Sequence, residues 1–416
     1  MPSSNPGAPR AAAGHSRIAL ELTLLLAALT AFAPLAIDMY LPALPELRRE
    51  FQTSPATAQL SLSAFFVGMA SGQLFYGALS DRFGRKLPLA AGLVLFIIAT
   101  VGCALAGSVQ SLIGWRFVQA LGVGATAVIP RAMVRDLFDP RDGARVLSRI
   151  MMVMGVAPIL APMLGAQLLL VADWRAIFWA LAALGALVLA AVLWRLQDSH
   201  PGNAEPLRLG RVLGRHFALL ADRHMLRYGL GGGVAIGALF AYIAGAPFVF
   251  IEHFGLSPQS FTLLFGVNAA GLIGASSLNG ALLGRVKLHR MLRLGVCLQA
   301  AAGLVLIAFG VLGFGGLWGV VLPLFVVIAC LGLVLPNSTV LCMAPYRNDA
   351  GVASGLLGVM QYAVAAVTSA LVSALHDGSP RSMALVAGAC AVLGLLLLFP
   401  RPGALVAAQL AVPPAR

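Results

Sequence analysis

Asp38 stands in the run Leu35-Ala-Ile-Asp38-Met39-Tyr40-Leu41-Pro42-Ala43-Leu44-Pro45, deep in the first long apolar stretch. A carboxylate at membrane depth costs about 2.5–3.5 kcal/mol on insertion scales, so it is expected to be there for a task such as taking up and releasing a proton. Pro34, one turn earlier, can bend that helix and turn Asp38 towards a bundle axis. A span ending before residue 38 would instead leave the acid in interfacial water. Arg116 and Gln119, in Gly114-Trp-Arg116-Phe-Val-Gln119, share a helix face at i, i+3. Arg116 cannot shed its proton, so it needs a partner, a wet cavity, or a snorkelling position near the interface.

A second group reads Gly72-Gln-Leu-Phe-Tyr-Gly77-Ala-Leu-Ser-Asp81-Arg82-Phe-Gly84-Arg85-Lys86. It is a helix end, a tight turn and a helix start, with one acid among three bases. Gly77 and Gly84 are expected to let backbones approach, and Asp81 to pair with a base or cap the next helix. A third group, Gly155-Val-Ala-Pro158-Ile-Leu-Ala-Pro162-Met-Leu-Gly165, has two prolines one turn apart that kink a helix and small residues that allow close packing.

The elements that must hold these residues are membrane helices. Of 416 residues, 60% are hydrophobic and 10% charged, against about 25% charged in soluble domains. In lipid every backbone polar group needs an internal partner, and the apolar runs are long and unalternating, so helices are favoured over a barrel. About twelve spans are expected: 18–40, 56–79, 87–107, 110–132, 146–170, 174–194, 226–251, 260–283, 291–312, 316–339, 350–375 and 381–399. The fold class is all-α, in two six-helix halves. A disordered N-terminus covers 1–16, the halves 17–195 and 226–400, a hydrophilic linker 196–225 and a tail 401–416. The halves are suggested by an echo: Gly77-Ala-Leu-Ser-Asp81-Arg82 returns 203 residues later as Gly280-Ala-Leu-Leu-Gly284-Arg285, with Gly284 in place of the acid.

With the N-terminus inside, 23 of the 28 Lys and Arg residues fall in inside segments and 4 outside. That places both termini and the linker in the cytoplasm, and it accounts for the net charge of +13 without nucleic acid. The five cysteines are scattered singly, with neither metal-ligand nor disulfide spacing. A membrane-embedded enzyme is disfavoured because H-E-x-x-H, G-x-S-x-G and paired intramembrane carboxylates are missing.

The 72–86 loop resembles the signature of the major facilitator superfamily, and IDMYLPALP resembles that of its Bcr/CflA drug:proton antiporters. Arg116-x-x-Gln119-x-x-Gly122 and the 155–165 run are similar to further motifs of that family, although Ala161 and Ala166 replace two glycines of its antiporter motif. The resemblance implies a pseudo-two-fold pair of six-helix halves. It further implies Asp38 and Arg116 in proton coupling, and residues 72–86 as a conformational latch. The expected cargo is an amphipathic antibiotic of the bicyclomycin or chloramphenicol type, and the expected place is the bacterial inner membrane. A narrow metabolite exporter or an importer of the same fold is the alternative. No cofactor or metal is expected beyond the proton gradient, and the chain is expected to act as a monomer. Tyr40, Gln119, Met154, Asn268 and Gln361 are candidates for the substrate cavity, ordinary interhelical hydrogen bonding being the other role open to the polar ones.

Overall fold

Among the described residues, twelve apolar runs become twelve helices long enough to cross a bilayer. The structure is a computed structural model that describes residues 8–200, 202, 209–283, 285–346 and 350–399. The helices are α1 Ala8–Asp38, α2 Pro55–Phe83, α3 Lys86–Ala104, α4 Val109–Leu137, α5 Pro140–Leu168 and α6 Arg175–Arg195. The second set is α7 Gly231–Ala246, α8 Pro258–Leu282, α9 Leu288–Leu312, α10 Gly316–Met343, α11 Ala350–Ala374 and α12 Arg381–Leu398. Among the described residues there is no strand.

One expectation changes. The stretch 1–16 expected to be disordered is helical from Ala8; residues 1–7, like the tail 401–416, lie outside the described residues. The linker also carries structure, with helices at Leu209–Leu220 and Arg223–Met225. The seventh span is a composite rod, Arg223–His253, with π turns at Leu226–Leu230 and Pro247–His253 flanking α7. Pro247 lacks a backbone donor, so the helix changes register there instead of stopping.

The repeat is legible in the packing. In the first half α1 lies against α4, α5 and α6, α2 against α4, and α3 against α4 and α6. Six helices later the same pairs recur: α7 against α10, α11 and α12, α8 against α10, and α9 against α10 and α12. The halves meet through α2 with α11 and α5 with α8, again one pair and its equivalent. Even the caps repeat. Ser54 accepts a hydrogen bond from Thr57 N at 3.0 Å to open α2, and Ser257, 203 residues on, accepts from Ser260 N at 3.1 Å to open α8. A proline follows each serine at the first helical position, where its missing N–H costs nothing.

Candidate functional site

α1 ends at Asp38 because Pro42 and Pro45 follow, and the chain continues as a 3-10 turn at Leu41–Ala43 and a short helix at Leu44–Glu50. Although Asp38 closes the helix, it is buried, with 4% of its surface exposed. Among the described residues its carboxylate has neither a hydrogen bond nor an ion pair. It lines a cavity of about 220 Å³ between the halves, with Pro34 and Ile37 from α1, Met154 and Pro158 from α5, Phe240 and Tyr242 from α7, Phe265 and Asn268 from α8 and Tyr362 from α11. An acid without a counter-ion in an apolar and aromatic chamber is suited to exchanging a proton or holding a cation. Gly165 on α5 sets its position. A Cβ there would run into the Met39 carbonyl, so only glycine lets α5 approach the residue after Asp38 this closely.

Arg116 is not on that lining and is fully buried. Its Nη1 donates to the Ala36 carbonyl at 3.0 Å and to Gln119 Oε1 at 2.6 Å. Gln119 Nε2 in turn donates to Thr100 Oγ1 at 2.8 Å. The guanidinium lies over the rings of Phe65, Tyr40 and Phe178 at 4.3, 4.8 and 5.9 Å, leaving Nε and Nη2 without hydrogen-bond partners. Aromatic faces therefore supply part of what a carboxylate would supply. Tyr40 belongs here as well, its hydroxyl 3.0 Å from Ser61 Oγ.

The candidate residues thus divide. Asp38, Met154, Pro158 and Asn268 come together at the cavity. Tyr40 and Gln119 stand with Arg116, not on the cavity lining, and at the α11 position Tyr362 lines it instead of Gln361. Residue types alone flagged the polar candidates; which one faces the chamber depends on helix rotation.

The 72–86 loop lies at one end of the bundle, with Arg85 as its hub. That side chain is buried; its Nε donates to Asp136 at 2.8 Å, and its Nη1 to Asp81 at 2.6 Å and Ser80 Oγ at 2.8 Å. Burial acts to lower the Arg85 pKa, but the hydrogen bonds to Asp136 and Asp81 outweigh it and raise the pKa above its ordinary value. Lys86 Nζ caps the end of α6 through the Leu193 carbonyl at 2.9 Å, and Arg82 lies over the Phe83 ring. Gly84 has φ +79°, and the Asp198 carboxylate fills the place of its missing Cβ while accepting from Arg85 N at 2.8 Å. Gly72 lets α2 approach α4 at Leu121 and Gly124, whereas Gly77, expected to do the same, faces open space. Asp136 and Asp198 were not singled out from the sequence, since nothing local marks acids that come from 51 and 113 residues away. Gly284 of the second copy lies outside the described residues.

At the opposite end the halves are tied together. Arg48 Nε donates to Glu252 at 2.9 Å, and Ser373 Oγ to the Ala56 carbonyl at 2.6 Å. Deeper in, Ser63 donates to Ser369 at 2.9 Å.

Residues 26–370 match the family model described as Major Facilitator Superfamily. The uncharacterized MFS-type transporter YdgK of Bacillus subtilis is 35% identical over 93% of this chain and 96% of its own. The bicyclomycin resistance protein homolog of Haemophilus influenzae is 30% identical over 90% and 94%. The multidrug resistance protein MdtL of Escherichia coli K12 is 30% identical over 92% and 96%. A partially occluded inward open structure of the xylose transporter XylE from E. coli superposes with a TM-score of 0.71 at 14% identity, over 92% of this chain and 97% of that one, a likeness of fold alone. The family match, and relatives aligned over nine-tenths or more of its length, mean that this chain belongs to the Major Facilitator Superfamily.

Proposed function

We propose that this transporter exports amphipathic small molecules in exchange for protons. The observation that supports this best is the lone Asp38 carboxylate on the wall of a chamber between the halves. One group cannot hold a proton and a cationic cargo at once, and that competition suffices for exchange: by linkage, whatever cargo does to proton affinity, the proton does to cargo affinity. Cargo binds when Asp38 is deprotonated, and a proton arriving from outside releases it. The relatives named for bicyclomycin and multidrug resistance support antibiotics as the cargo class. The mostly apolar wall fits amphipathic compounds better than sugars.

In this reading the bundle sits in the bacterial inner membrane with the Arg85 end cytoplasmic, because the basic residues crowd that side. The Arg48–Glu252 end is external and closed. With the native cysteines replaced, Gly214→Cys and Ala172→Cys, both at exposed positions, test this. Only Ala172→Cys should react with an impermeant thiol reagent applied to intact cells; the reverse pattern inverts the topology.

The deciding experiment is uptake of an antibiotic panel into everted membrane vesicles, with and without a proton gradient. Gradient-dependent uptake of several unrelated compounds is expected. Uptake of a single metabolite favours the narrow exporter, and gradient-driven movement the other way favours an importer.

A further inference from the structure

Asn268 stands on the wall of the cavity contributed by the second half. Its Nδ2 donates to the Tyr242 hydroxyl at 3.1 Å, and the Tyr242 ring is stacked on Phe265 with centroids 5.3 Å apart. The carboxamide is thus held by a tyrosine that is itself held by a ring. Its Oδ1 is left with no hydrogen-bond partner, although the residue is only 4% exposed. An acceptor buried without a partner costs about 1–3 kcal/mol, and a native structure that keeps one calls for a reason. On the wall from the first half stands Asp38, also without a partner. The rest of the lining is apolar or aromatic, including Phe240, Phe265 and Tyr362.

We propose that Asn268 is a specificity-determining residue: from the wall of the second half it reads a hydrogen-bond donor on the cargo, while a cationic group of the same cargo meets Asp38 on the wall of the first. The cargo class that fits is a compact aromatic cation bearing a hydroxyl or N–H group directed away from its charge. This inference deepens the exporter reading and rests on it. The cation takes the carboxylate and the ring faces, both of which attract positive charge. The donor takes Asn268 Oδ1 and completes the unmet acceptor. A chamber of about 220 Å³ is smaller than the ~300–1,000 Å³ of most ligand pockets, which favours a compact occupant. Oδ1 has almost no exposed surface, so the bond forms as the arriving ligand shifts the wall. A cargo held by Asp38 at one end and Asn268 at the other would bridge the two halves.

The test uses two probes alike in charge and ring, (3-hydroxyphenyl)trimethylammonium and its methyl ether (3-methoxyphenyl)trimethylammonium. Both carry the cation, but only the first donates a hydrogen bond. Binding is measured on the purified full-length protein in lipid nanodiscs. Wild type should favour the hydroxyl probe by about tenfold, the order expected for one buried hydrogen bond. Asn268→Leu should bring that ratio to about one, an outcome that general damage to the fold, weakening both probes alike, would not produce. Tyr242→Phe, which frees the carboxamide to turn, should fall between. An unchanged ratio in Asn268→Leu, a wild-type ratio near one, or no binding of the hydroxyl probe to folded wild type overturns the inference. The exporter reading fails by a separate measurement, uptake of the hydroxyl probe into everted vesicles that ignores the proton gradient.

Discussion

The Arg116 guanidinium donates to the Ala36 carbonyl at 3.0 Å, two residues before Asp38 and on the same helix. The buried cation therefore grips the backbone that carries the acid, and no ion pair joins the two among the described residues. The family resemblance implies a role for Arg116 in proton coupling beside Asp38. Its contacts give it a positional task as well: it fixes the last turn of α1 against α4 while three aromatic rings surround it.

Arg116→Lys separates the two tasks. Lysine keeps the charge but lacks the planar fork that reaches Ala36 and Gln119 while lying flat on the rings. Gradient-driven uptake in everted vesicles should fall by about tenfold or more, one tenfold step being about 1.4 kcal/mol. Near wild-type uptake would mean that charge alone matters here.

Asp38→Asn should abolish uptake driven by the proton gradient while leaving expression and thermal unfolding close to wild type. Asparagine fits the same space, and no partner is lost among the described residues. Proton release on drug binding, followed with a pH-sensitive dye in weak buffer, should vanish too. A variant that keeps full proton-coupled exchange would move the coupling acid elsewhere in the chain.

In the latch, Arg85 is the hub and Asp81 one of its partners. Asp81, the one acid of the loop, has a side chain 66% exposed, whereas the side chains of Arg85 and Asp136 are 3% and 15% exposed. Arg85→Gln leaves Asp136 without its strongest donor and should destabilise this end by about 3 kcal/mol. Its thermal unfolding temperature should drop further than that of Asp81→Asn. Asp81→Asn should slow transport with a small effect on unfolding. Equal unfolding temperatures for the two would remove Arg85 from its central place.

The Arg48–Glu252 pair ties the halves together at the far end, with both partners about a quarter to a third exposed. Exposed pairs contribute roughly 0.5 kcal/mol, so Glu252→Gln should raise the open population at this end by about twofold. Distances between spin labels on either side of the gap report that population, and an unchanged distribution would make the pair incidental.

His376 gives the same end a pH dependence. Partial burial holds its pKa below the ordinary 6.5, with Asp377 and Glu252 raising it and Arg48 lowering it by smaller amounts. Its ring packs on Phe248 at 5.8 Å, and His253 and Glu252 share the recess. The unfolded chain therefore binds this proton more readily than the folded one. The stability tied to neutral His376 is complete above pH 6.5 and is lost as the pH falls towards the lower folded value. Thermal unfolding of wild type should weaken between pH 7 and 5 by more than that of His376→Gln. Identical pH profiles would exclude the residue.

What was legible in the sequence is what repeats or what costs energy in lipid. Twelve long apolar runs leave few alternatives to helices, and Gly77-Ala-Leu against Gly280-Ala-Leu exposes the doubling. Asp38 declared itself because a carboxylate there is expensive. The cavity wall was harder to see. Tyr362 and Gln361 are neighbours in apolar sequence, and only the rotation of α11, set by packing against α2 and α7, puts the tyrosine inside. Asp136 and Asp198 were invisible for another reason: an acid on a helix end or a linker looks like ordinary solvated surface until the chain brings it back to Arg85.

The duplicated packing has an evolutionary consequence. Both copies keep the scaffold, but the lone carboxylate facing the chamber sits on the first, while the second lines it with aromatic rings and an amide. Under the proposed exchange function, power and taste are therefore encoded in different stretches of the gene. Variation confined to residues 231–374 can retune which compound is accepted while the machinery that draws on the gradient stays intact. A lineage exposed to new toxins can thus change its cargo by altering one repeat and sparing the other.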